Sequence, residues 1–195
     1  MLVIVAVVAI VAATINNNHM FWLLMFLEVI LVIVLVMASV EFYNIVFRGF
    51  APFVSTKPKV IMAILEELKL KGDESVYELG CGRAGFLQAV IEKWPGVKTL
   101  GIEYHLWPYI LAKLQTGLHK IKINLQHGDL YKADLSKADV MYCFLLPGMM
   151  EKLAAKLKSE AKPGSRLISY MFTLPGYQVA NVYRDGSDTV YYYQF

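Results

Sequence analysis

Residues 20–40 read MFWLLMFLEVILVIVLVMASV, 21 positions with a single charge at Glu28, and a soluble fold has little use for such a run. A helix rising ~1.5 Å per residue would extend about 31 Å over this stretch, against a hydrocarbon core of ~30 Å. Phe21 and Trp22 stand at one end, and Phe42, Tyr43 and Arg48 at the other, as interfacial anchors do. A transmembrane helix over residues 20–40 is therefore predicted. The apolar front also explains the composition. Hydrophobic residues make up 57% of the 195, with a mean hydropathy of +0.47, where a plain soluble domain holds roughly 45–50% apolar residues. Residues 1–47 contain no Lys or Arg and only two acids, Glu28 and Glu41.

The earlier apolar run, residues 2–15, is shorter and is set off by the polar Asn16–His19. It reads as a short first span, a signal-type core without a basic leader, or an interfacial segment. The front end is thus one transmembrane helix or a helical hairpin. The first basic residues, Arg48, Lys57 and Lys59, follow the apolar segment, which places the remaining chain in the cytoplasm. Residues 1–47 form a membrane anchor and 48–195 a second domain. That domain carries all 19 basic residues and 14 of the 16 acidic ones. The surplus suits anionic lipid and is too diffuse for nucleic acid. Cys81 and Cys143 show neither metal spacing nor a disulfide framework, and His105, His119 and His127 lack partners at metal spacing, so no metal is expected.

From residue 50 the pattern alternates between strands and helices. Thr56 is placed to cap a helix with Pro58 in its first turn, followed by Ile61, Ile64, Leu65 and Leu68 at helical spacing. GDESVYEL ends in a short β-type run; VKTLGIEY, IKINLQHGD, ADVMYCFLL and SRLISYMF read as the next strands, and a final hairpin turns at Asp185-Gly186. This order predicts an α/β fold with a mostly parallel sheet and an antiparallel strand at the C-terminus.

ELGCGRAG, residues 78–85, places Gly80, Gly82 and Gly85 in the spacing GxGxxG between the first strand and a helix. Such a loop lets backbone approach a ligand at a helix N-terminus, and alone it is a weak signal shared with dehydrogenases. Three acids separate the alternatives. Glu78 precedes the glycines, where a carboxylate meets a cationic amino group that NAD lacks. Glu103, 21 residues after Gly82, ends the second strand and could hold both ribose hydroxyls. Asp129, in HGDL after the third strand, can accept from an adenine amino group. Together they describe S-adenosyl-L-methionine binding.

E-x-G-x-G, then GIE, then GD is similar to the pattern of class I S-adenosylmethionine-dependent methyltransferases, which implies their Rossmann-like sheet. A narrower likeness covers residues 50–195. APFVST, LGIEYHLWPYILAKL, FLLPGMMEKLAAKLKSEAKPGSRLISYMFTLPGY and TVYYYQF resemble one protein-lysine methyltransferase family. It includes small archaeal enzymes and the mitochondrial enzymes that modify ATP synthase c subunit and adenine nucleotide translocase. Ser55 replaces a proline of the family's P-[FY]-V-P-[ST], and Arg83 and Ala84 depart from its GxGDGR loop.

The resemblance implies that Glu78, Gly80, Cys81, Gly82, Gly85, Glu103, Tyr104, Asp129, Leu130 and Phe144 bind the cofactor. It puts Pro52, Phe53, Thr56, Leu145 and Pro147 around the methyl acceptor. A lysine amine attacks only when neutral, and an apolar lining such as Phe53, Phe144 and Leu145 favours that form. No residue stands out as a general base. The expected partners are the bilayer and a membrane protein with an accessible lysine. A methyltransferase for lipid head groups or lipophilic small molecules, or a non-catalytic cofactor-binding partner of a membrane complex, would fit the same residues.

Overall fold

The computed structural model describes residues 2–48, 54–119 and 122–195. The chain divides into two compact units, Met1–Gly49 and Phe50–Phe195. The first is a single helix, α1 (Leu2–Arg48). It runs unbroken through Asn16–His19, so the expected polar break is absent and there is no helical hairpin. Asparagine costs a helix well under ~1 kcal/mol per residue, and no Gly or Pro interrupts the run. Within α1, Asn18–Val40 is long and apolar enough to cross a membrane, and none of it is buried.

The second unit holds α2 (Pro58–Glu67), β1 (Ser75–Leu79), α3 (Gly85–Lys93), β2 (Lys98–Glu103), α4 (Leu106–Leu118) and β3 (Asn124–His127), then β4 (Val140–Cys143), α5 (Pro147–Glu160), β5 (Arg166–Tyr170), β6 (Asn181–Asp185) and β7 (Asp188–Gln194). The seven strands lie in the order β3-β2-β1-β4-β5-β7-β6. β1 to β5 pair in parallel, while β7 is antiparallel to both β5 and β6. The predicted mostly parallel sheet and terminal hairpin are both present.

Period-two alternation builds two cores. Val76, Val140, Tyr142 and Ile168 pack with α2 and α3 through Val60, Ile64, Phe86 and Val90. Leu79, Met141, Cys143 and Leu167 point the other way, against Met150, Leu153 and Leu157 of α5. The central strands β1, β4 and β5 bury residues on both faces, as a parallel sheet sandwiched by helices must, while the edge strands β3 and β6 stay largely exposed. The chain progresses outward in opposite directions from β1 and β4. The crevice between them, at the carboxyl ends of the strands, is where open α/β sheets take ligands.

One local expectation is corrected. Thr56 does not cap α2: the N-cap is Lys57, without a side-chain cap bond, and Pro58 opens the helix. Pro58 lacks an N–H, so the first turn has one fewer donor to satisfy, and the Thr56 hydroxyl serves elsewhere.

Candidate active site

The β1–β4 register sets Glu78 opposite Tyr142, and the β1–β2 register sets it opposite Gly101. After Leu79 the chain turns sharply, with Gly80 at φ +74°, Gly82 at +52° and Ala84, a non-glycine, at +58°. The Gly80 and Cys81 N–H groups both donate to the Ile102 carbonyl at 2.9 Å, pinning the loop to β2. A Cβ on Gly101 would lie 2.9 Å from Cys81 Sγ, so a glycine in the middle of β2 is what lets the loop lie so close.

Two buried carboxylates hold this loop. Glu78 Oε2 accepts the Leu87 N–H, in the first turn of α3, at 3.2 Å. It thereby caps a helix whose own N-cap, Ala84, has no acceptor. Glu103 Oε2 accepts the Gly82 N–H at 2.7 Å, and its Oε1 accepts the His105 N–H at 2.8 Å. Each oxygen thus carries one fixed donor and retains a lone pair for a hydroxyl. Burial pushes the Glu78 carboxyl up to about 8, with further help from the nearby Glu103 charge. A buried carboxylate held by backbone N–H groups of the first turn of α3 calls for a cation beside it.

The loop and strand ends enclose a cavity of about 240 Å³. Every residue expected at the cofactor lines it: Glu78, Gly80, Cys81, Gly82, Gly85, Glu103, Tyr104, Asp129, Leu130 and Phe144. Asp129 Oδ1 accepts the Tyr131 N–H at 2.9 Å, which orients the carboxylate as an Asx turn does. Thr56 and Leu145 line the wall as well. Pro147 does not, because it is exposed and opens α5. Pro52 and Phe53 lie outside the described residues.

Several wall residues were not among those expected to bind. Tyr142 is buried, stacks on Phe86 with ring centroids 4.2 Å apart, and shares a 2.6 Å hydrogen bond with the Thr56 hydroxyl. Burial raises its phenol well above the ordinary value, so the hydroxyl keeps its proton. Its signal was the two-residue step to Phe144, which puts both rings on one face of the strand. Val54, Ser55, Gln88, Gln115 and Met149 complete other parts of the wall.

The 54–56 segment is anchored from the far end of the chain. Lys57 Nζ contacts both Asp188 oxygens, at 2.8 and 3.1 Å, and Tyr170 Oη donates to Asp188 Oδ1 at 2.6 Å. Lys57, with Tyr170, holds the Asp188 carboxyl down to about 2. Tyr170 also packs on Phe144, centroids 4.6 Å apart, so the clamp rests directly on a residue of the cavity wall.

A sheet of this order, with three acids converging on a glycine loop at its switch point, defines a class I S-adenosylmethionine-dependent methyltransferase. An RNA methyltransferase from Salinibacter ruber, solved with S-adenosyl-L-homocysteine, matches it with a TM-score of 0.67 and 26% identity, over 72% of this chain and 93% of that one. Residues 78–181 match the family described as the ANTKMT methyltransferase domain. A protein-lysine N-methyltransferase of Saccharolobus islandicus is 32% identical over 148 residues, 73% of this chain and 92% of the relative. The mouse adenine nucleotide translocase lysine N-methyltransferase is 26% identical over 155 residues, 78% of this chain and 66% of its own length. The chain belongs to this family of S-adenosylmethionine-dependent protein-lysine methyltransferases.

Proposed function

We propose that the chain is a membrane-anchored protein-lysine N-methyltransferase whose target is itself a membrane protein. The observation that carries this reading is the pairing, in one chain, of a lysine-methyltransferase domain with the exposed apolar stretch Asn18–Val40. The mouse relative, named for a translocase, supports the same target class. Cations beyond the helix, beginning with Arg48, favour a cytoplasmic position for the catalytic domain.

Within the cavity the residues fit the cofactor. Glu78 offers its buried carboxylate to a cationic amino group, Glu103 accepts from ribose hydroxyls, and Asp129 accepts from an adenine amine. Gly80, Cys81, Gly82 and Gly85 give close backbone approach, while Tyr104, Leu130 and Phe144 supply apolar and aromatic walls. When bound, S-adenosylmethionine supplies a methyl group made electrophilic by its sulfonium. The protein's task is then to hold a neutral lysine amine in line with it, a contribution of proximity rather than acid–base chemistry. Phe144, Leu145 and the Thr56–Tyr142 pair would border that amine. A low-polarity wall lowers a lysine's pKa from about 10.4 and enlarges its neutral fraction.

The test compares the intact protein with one lacking residues 1–47, both supplied with a target reconstituted in liposomes and with a soluble peptide bearing the same lysine. Tethering by a short linker raises local target concentration toward the millimolar range. Truncation should slow methylation of the embedded target at least about tenfold and leave cofactor affinity and peptide methylation unchanged. Equal rates on the embedded target would remove the anchor from substrate choice.

A further inference from the structure

Helix α4 is amphipathic in an inverted sense. Its sheet side buries Pro108, Ala112 and Thr116, as expected. Its outer side presents Leu106, Trp107, Ile110, Leu114 and Leu118, with Trp107 at 55% and Leu118 at 81% exposure. At 100° per residue, Trp107, Leu114 and Leu118 fall within about 40° of arc, a continuous stripe along the helix. A surface helix ordinarily places charged and polar residues there. Scattered exposed leucines need no explanation, whereas a contiguous stripe ending in a tryptophan marks a contact surface.

Charge identifies the partner. Residues 106–127 contain three lysines, Lys113, Lys120 and Lys122, and no carboxylate. Lys113 and Lys122 are exposed, as is His119 at the C-cap of α4. An apolar stripe bordered by cations, with an indole at one end, matches an anionic phospholipid interface: lysines meet head groups while Trp and Leu enter the acyl boundary. A soluble protein partner of that complementarity would need an acidic rim around an apolar centre, for which nothing in the chain argues. The same chain carries the apolar Asn18–Val40, which brings a bilayer within reach.

We infer that the outer face of α4 rests on the surface of an anionic bilayer, with Trp107, Leu114 and Leu118 inserted at the head-group boundary. The consequence for function lies in the other residues of this region. His105, immediately before α4, and Gln115, within it, line the cavity, as does Tyr104. A bilayer against α4 therefore fixes the orientation of the cavity to the membrane, which a tether alone does not. This inference rests on the membrane-anchored reading above and adds a second, independent membrane contact.

Tryptophan quenching separates the two. The chain has three tryptophans, Trp22, Trp94 and Trp107. Full-length protein is reconstituted in vesicles of mixed neutral and anionic phospholipid, with or without bromine at a shallow acyl position. A W22F/W94F variant reports Trp107 alone, and a W94F/W107F variant reports the anchor through Trp22. The difference between wild type and W107F gives the Trp107 signal again, without relying on the double variants. Brominated lipid should reduce Trp107 emission about twofold, and replacing the anionic lipid by a neutral one should weaken that effect. A L114Q/L118Q variant should slow methylation of an embedded target about three- to tenfold and leave peptide methylation unchanged. Quenching of Trp22 with none of Trp107 overturns the α4 contact and spares the anchor. Quenching of neither overturns both. A Trp107 shielded by self-association in detergent, and unquenched in vesicles, would assign the stripe to a second copy and contradict the lipid contact.

Discussion

Glu78 faces two ways, capping α3 through the Leu87 N–H and meeting the cavity with a carboxyl raised to about 8. An exposed glutamate titrates near ~4.3, so the folded protein holds a proton that the unfolded chain releases between about pH 4.5 and 8. Stability from this group is therefore greatest in acid and declines as pH rises through that window. A cationic ligand reverses the preference by favouring the carboxylate. Cofactor binding at pH 6.5 should thus expel about one proton, and affinity should rise with pH toward 8. Calorimetry in two buffers of different ionisation enthalpy measures the release. Glu78→Gln keeps an acceptor for Leu87, so it should fold and show no proton release. Glu103 plays a different part, because its oxygens already carry the Gly82 and His105 N–H groups. Glu103→Ala removes a charge-assisted contact and frees the loop, and should weaken S-adenosylhomocysteine binding by about 1.5–3 kcal/mol. Unchanged affinity in that variant would place the ribose elsewhere.

At the scale of elements, the site depends on pieces far apart in sequence. The Lys57–Asp188 pair joins the residue before α2 to the start of β7. Asp188→Asn keeps the shape of the side chain and removes the charge that holds Lys57. Amides around Val60 and Ile61 should then exchange about tenfold faster, and cofactor affinity should fall severalfold while the sheet stays protected. Equal exchange in the two proteins would mean that the Thr56–Tyr142 bond and the Lys59–Asp185 pair hold this segment without help from Asp188. No feature of the sequence announced this clamp, because an ion pair over such separation has no local pattern. The three acids were legible for the opposite reason: each sits at a strand end, and strand ends can be counted from the alternation of apolar runs. Tyr142 lay in between. The apolar run of β4 hid it as core, although its two-residue offset from Phe144 pointed both rings to one face. Gly101 likewise looked like any strand residue until Cys81 was found against it. Asn16–His19 misled for want of a breaker, since polarity alone does not end a helix.

For the whole molecule, the proposed task is methylation of protein lysines at a membrane by a lysine-methyltransferase domain. The helix that carries the apolar stretch continues past Val40 to Arg48. The most direct measurement supplies full-length protein in native membranes with S-adenosylmethionine labelled on its methyl group. Protein, extracted lipid and RNA are then separated, and the protein is hydrolysed to amino acids. The expected result is label in membrane protein, recovered as methyllysine and lost in the Glu103→Ala variant. Label in the lipid or RNA fraction, with none in methyllysine, would contradict it.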